Sequence, residues 1–171
     1  MEEDKTLFNE EESYKYDASD RPFDFVEASA GTALVCESDP AAREKISSAL
    51  RGMGYQITEP ASIKDAAKNM RFHIYDVVVL NENFDTANPN ANVVLNSLAN
   101  LNAGTRRQIF VALLSSRFRT MDNMTAFNKS VNVIINMKNI DDIGTIFKRS
   151  LNDNTAFYHV FKETLKKKGW G

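Results

Sequence analysis

The chain has 171 residues, 43% of them hydrophobic and 26% charged, with a net charge of −2. That is enough for one domain with a sizeable core and too little to expect two, and the charge balance offers no basic field for nucleic acid or an anionic membrane. Nothing resembles a signal peptide, and no apolar run is long enough to span a bilayer, so a cytoplasmic protein is expected.

Residues 1–30 stand apart. Between Met1 and Ala28 ten acids face three bases and no hydrophobic period persists, which reads as an acidic, mostly disordered arm. Phe23, Phe25 and Val26 are its apolar residues with the means to dock on the domain. From Thr32 short apolar runs alternate with helical periods, the pattern of βα units around a parallel sheet. Thr32 to Cys36 is the first strand. Cys36 is the only cysteine of the chain, which excludes an internal disulfide and a cysteine-rich zinc site and fits a buried thiol.

Asp39 caps a first helix with Pro40 at its first position, and Ile46, Leu50 and Met53 form its apolar stripe until Gly52 and Gly54 end it. Tyr55 to Thr58 alternates as a more exposed strand. Ser62 opens a second helix with Ile63, Ala66, Ala67 and Met70 at helical spacing. Tyr75 to Asn81 is then the central strand. Its four consecutive apolar residues, Val77 to Leu80, read as a strand covered on both faces. Residues 82–90, rich in Asn and Asp, form a loop before a helix over 93–101. Strands follow at 108–114 and 131–137, with a polar helix near 120–129 between them. Asp141 and Asp142 start a helix carrying Ile143, Phe147 and Leu151, and Asn152-Asp153-Asn154 predicts a break and a fresh cap. Beyond it Phe157, Val160, Phe161 and Leu165 recur at helical spacing, a stripe for the chain's own domain or for a second copy. His73 and His159 lack a partner pattern and read as packing or surface residues.

The segment LVCESDPAAR, Leu34 to Arg43, resembles the first strand and turn of response-regulator receiver domains. LRGMGYQITEPASIKDAA, Leu50 to Ala67, is similar to the following helix end, glycine-aromatic turn, strand and helix. Tyr75 to Asn81 resembles the family's third strand and Phe110 to Ser116 its fourth. The resemblance implies an α/β fold: a doubly wound five-stranded parallel sheet, flavodoxin-like, in the receiver order 2-1-3-4-5, with an extra C-terminal helix. It divides the chain into the arm over 1–30, a receiver-like domain over 31–151 and a helical extension over 152–171.

It also implies where the family's chemistry would sit, and there the chain departs. The phosphoacceptor aspartate is replaced by Asn81, whose amide has no anionic oxygen to attack phosphorus. The acidic pocket that holds Mg²⁺ in the family is here Glu37, Ser38 and Asp39, with Asp39 equally suited to capping, and two carboxylates fewer should leave Mg²⁺ too weakly held. Ser115 stands at the hydroxyl position. The lysine position falls on Met137 in the ungapped register, or on Lys138 if a one-residue bulge intervenes. The resulting expectation is a pseudo-receiver: no catalytic residue, no metal and no cofactor, working as a two-component signalling module through protein–protein interaction. Its expected partners are other signalling proteins, with a homodimer possible in principle and neither nucleic acid nor membrane. Two other readings stand beside it. One is an atypical switch that binds phosphate, metal or a small ligand at Glu37, Asp39 and Ser115. The other is a scaffold or oligomerisation protein that uses its C-terminal helix.

Overall fold

The computed structural model describes residues 31–169, and the acidic arm expected over 1–30 lies outside them. Five strands, β1 (Thr32–Cys36), β2 (Gln56–Thr58), β3 (Val77–Asn81), β4 (Phe110–Ser115) and β5 (Val133–Asn136), form one sheet in the order β2-β1-β3-β4-β5. Every pairing is parallel, with Val79 of β3 opposite Val35 of β1 and Ala112 of β4. The expected doubly wound sheet is therefore present.

Both faces of the sheet are covered, which is why β3 carries no polar alternation. On one face Ala33, Val35, Val77 and Val79 meet Ile46 and Leu50 of α1 (Pro40–Gly52) and Ile143 and Phe147 of α6 (Ile143–Lys167). On the other, Leu34, Cys36, Val78 and Leu80 pack with Ala66 of α2 (Ile63–Phe72), Val94, Leu95 and Leu98 of α3 (Val93–Ala99) and Ala126 of α5 (Asn123–Asn128). The period of two along each strand sorts the residues between these faces. Val79, Leu80 and Phe147 are fully enclosed.

The helix starts follow the caps read from the sequence. The Asp39 carboxylate accepts from Ala42 N–H at 2.9 Å, with Pro40 in the first turn, and Ser62 accepts from Asp65 N–H at 3.1 Å. A second acceptor for α2 comes from the loop after β3, where Asp85 takes the Ile63 N–H at 2.9 Å.

The helix expected over 93–101 is α3, ending at Ala99, and between it and β4 the chain adds a one-turn helix, α4 (Ala103–Arg106), that the sequence pattern did not announce. The Asn102 side chain caps it by accepting from Thr105 N–H at 2.9 Å. From its end the Arg106 guanidinium donates to the carbonyls of Ile109 at 2.7 Å and Ser130 at 2.6 Å, clamping two strand entrances. α5 is shorter than the expected 120–129, because Met121 takes φ +64° and Asp122 restarts the helix as its cap.

Ser130, just before β5, adopts φ +58°, a left-handed conformation that strains a side chain and suits glycine. Ser130→Gly should therefore stabilise the domain by up to about 1 kcal/mol, the left-handed strain less the extra chain entropy of glycine. Chemical denaturation of the two proteins checks it.

The extra helical length at the C-terminus is present, but the break expected at Asn152-Asp153-Asn154 is not. α6 runs without interruption for 25 residues. Asn and Asp disfavour a helix interior by only about 0.7 kcal/mol each, and packing on both sides of them outweighs that. Leu151 packs on the core before them, Tyr158 is half-buried after them, and Asn154 itself accepts from the Asn132 amide at 3.1 Å. The predicted stripe is split: Phe161 and Leu165 are half-buried, whereas Phe157 and Val160 are 79% and 75% exposed. No helix among the described residues is long and apolar enough to cross a membrane.

Candidate functional site

A parallel sheet of this kind gathers its polar strand ends on one edge, and here β1, β3, β4 and β5 deliver Glu37, Asn81, Ser115 and Asn136 to it. Glu37 is 3% exposed although it carries a carboxylate. One of its oxygens accepts from Asp39 N–H at 3.0 Å and the other from the Asn81 side-chain amide at 2.7 Å. Asn81 uses its own oxygen to accept from Asn83 N–H at 2.9 Å. Both ends of that amide are thereby engaged, one holding a strand end and the other shaping the loop after it.

The sulfur of Met137 lies 4.0 Å from the same Asn81 nitrogen. β5 pairs with β4 residue for residue, from Ala112 opposite Val133 to Ser115 opposite Asn136, so no bulge shifts the register. Met137 is the side chain turned toward Asn81, while Lys138 is exposed and its backbone N–H caps back to Asn136 at 3.0 Å. Ser38 and Asp39 are exposed on the β1–α1 turn, with Asp39 occupied as the cap of α1.

Ser115 is fully buried and its hydroxyl faces a different partner. It donates to Glu82 at 2.8 Å and accepts from the N–H groups of Arg117 and Phe118 at 3.1 and 3.2 Å. Glu82, 2% exposed, receives the Arg117 guanidinium on both oxygens at 3.1 to 3.2 Å. That guanidinium lies 4.5 Å from the centre of the Phe118 ring and also donates to Asn90 at 2.9 Å. Glu82 and Arg117 are the residues that sequence reasoning missed. The only signal was a charged residue directly after the apolar run of β3, and nothing in spacing connects positions 35 residues apart.

Asn92 closes the loop between β3 and α3. It is 1% exposed, caps α3 by accepting from Leu95 N–H at 3.0 Å, and donates to the Glu82 carbonyl at 3.1 Å. Asn92→Ala removes a cap and leaves that carbonyl unpaired, so a loss of about 2 kcal/mol is expected. Thermal unfolding followed by circular dichroism measures it.

Neutral groups stitch the remaining loops together. Thr120 accepts from Asn136 N–H at 2.8 Å and donates to Asn139 at 2.6 Å, while the Asn136 amide donates to the Phe118 carbonyl at 2.7 Å. Cys36 lies beneath the site with its thiol pKa pushed up by burial, so it stays protonated and unreactive. His73, bonded to the Thr32 hydroxyl at 2.8 Å, belongs to the opposite edge of the sheet, and His159 is paired with Glu163 on the surface of α6.

Asn81 has no anionic oxygen with which to attack phosphorus, and the Ser115 hydroxyl donates its hydrogen bond to the buried Glu82 carboxylate. The site does not fit Mg²⁺. That ion needs several hard oxygen ligands in an octahedron, whereas both Glu37 oxygens face N–H donors and the sulfur beside the Asn81 nitrogen is a soft thioether. Among the described residues no three His, Cys, Asp or Glu side chains converge on a common point.

No family model and no curated relative matches the chain. Its structure is similar to solved receiver domains. A CheY-like response-regulator receiver domain protein of Methanospirillum hungatei matches with TM-score 0.57 at 13% identity, over 75% of this chain and 98% of that one. A putative response regulator of Chloroflexus aurantiacus matches at 0.55 and 16% identity, over 72% and 98%. The chemotaxis response regulator CheY4 of Vibrio cholerae matches at 0.56 and 12% identity, over 71% and 98%. The chain has the receiver fold.

Proposed function

We propose that this chain is a pseudo-receiver, a signalling module that works by binding other signalling proteins and does not run aspartyl phosphorylation. The observation that carries the reading is the closed amide of Asn81, held between the Glu37 carboxylate at 2.7 Å and the Asn83 N–H at 2.9 Å with Met137 alongside. A phosphoryl group would have to displace that bond and then lie against an uncompensated buried carboxylate. Adding Mg²⁺ with acetyl phosphate or beryllofluoride should shift neither the melting temperature nor the intact mass. A phosphoryl adduct on Glu37, Asp39 or Ser115 would overturn the reading in favour of a switch that still binds phosphate.

Exposed Phe157 and Val160 on α6, together with Phe127 at 79% and Met124 at 70% exposure on α5, favour a second reading, in which α6 serves a scaffold or a homodimer. Light scattering on the full chain and on a form ending at Asn152 separates the two, since only the scaffold reading expects the mass in solution to fall.

A further inference from the structure

A groove of about 210 Å³ runs between α2 and α3, on the face of the sheet away from α1 and α6. Its walls are Ile63, Ala67 and Met70 on one side and Val93, Val94 and Leu101 on the other, with Tyr75 and Ile109 at its floor. Ile74 and Val93 remain 58% and 53% exposed at its rim, an unusual outlay of apolar surface for one spot. A dry cavity of about 150 Å³ takes up benzene, so the groove has room for a phenyl ring.

We propose that this groove is the docking site of the chain's own segment Pro22-Phe23-Asp24-Phe25-Val26. Thirty residues precede Gly31, and they join the described domain beside the groove: the Thr32 hydroxyl is 2.8 Å from the ring of His73, which lines it. Phe25 is seven residues from Thr32, a span of up to roughly 25 Å when extended. Phe23 and Phe25 are two apart and point to the same side of an extended chain, so one ring can fill the groove while the other covers its rim. Charge agrees with this pairing. The α2 wall carries Lys64, Lys68 and Arg71 against one acid, Asp65, whereas residues 20–27 carry Asp20, Asp24 and Glu27 against one base, Arg21. α3 carries no charge to oppose it.

Two measurements on the full chain test the proposal. Hydrogen exchange of Phe23→Ser/Phe25→Ser against the parent should show amides of 63–72 and 93–99 exchanging faster on the order of tenfold, as when burial of a ring is lost, with β1 and α6 unchanged. Oxidation of Phe25→Cys/Ile74→Cys should then yield an intramolecular disulfide, and Phe25→Cys/Ser48→Cys, with its second cysteine on α1 across the sheet, should not. Buried Cys36 stays out of the reaction. Unchanged exchange in the serine variant, or equal cross-linking of the two pairs, overturns the proposal. A disulfide that joins two chains overturns it in favour of a second copy as the occupant.

Discussion

Asn81→Asp should destabilise the domain by about 3 kcal/mol at neutral pH, because it exchanges a hydrogen bond to a buried carboxylate for a like charge at the same distance. In the parent the amide nitrogen is 2.7 Å from Glu37, and among the described residues no cation is paired with either Glu37 oxygen. With a carboxylate at 81 the two groups can coexist only by sharing a proton or a metal ion. The folded pair therefore binds a proton more tightly than the unfolded chain, whose carboxylates titrate near about 4. Its stability is kept below that pH and lost as pH rises through the raised value, so the gap to the parent narrows on acidification. Mg²⁺ should raise the melting temperature of the variant and leave the parent alone, and adding Ser38→Asp should strengthen that response. Equal stability of variant and parent at pH 7 would mean that the Asn81 amide does not organise the site.

Arg117→Met carries the other large expected effect. Glu82 is 2% exposed and takes charged hydrogen bonds on both of its oxygens from this one guanidinium. Removing one partner of such a pair costs about 3 to 5 kcal/mol, and the lower end applies because the Arg117 side chain is itself 40% exposed and water can enter its place. A fall in melting temperature of roughly 10 °C follows for a domain of this size. The paired variant Glu82→Gln/Arg117→Met leaves no orphaned charge, keeps an acceptor for the Ser115 hydroxyl, and should return to within about 1 kcal/mol of the parent. Arg117→Lys should recover only part of the loss, since an ammonium cannot make the bidentate contact. If Arg117→Met alone proves neutral, Glu82 draws its stability from elsewhere.

The sheet and its helices were legible because their signals are local. The apolar run Val77 to Leu80, the Asp39-Pro40 cap and Ser62 ahead of Ile63 each announce an element within a few residues, and the structure keeps all of them. The elements misread were those decided by tertiary packing. Asn152-Asp153-Asn154 reads as a break by propensity, but a helix already anchored by Ile143 and Phe147 propagates cheaply across three weak formers. Within the site, the neutral residue at 81 was visible as a departure from a resembled pattern. What it touches was not, since its partners Glu37 and Met137 lie 44 and 56 positions away. The Glu82–Arg117 pair was hidden for the same reason. Which of Met137 and Lys138 turns toward Asn81 depended on one residue of register, which spacing along the chain does not give.

The uninterrupted α6 gives the domain a lever. Its 25 residues span about 37 Å at the usual helical rise. The base is gripped by enclosed Ile143 and Phe147, while the outer turns carry exposed Phe157 and Val160. A helix without a hinge does not absorb motion along its length. A slight tilt at the base would therefore be carried enlarged to Phe157 and Val160 wherever the half-buried contacts of Phe161 and Leu165 give way.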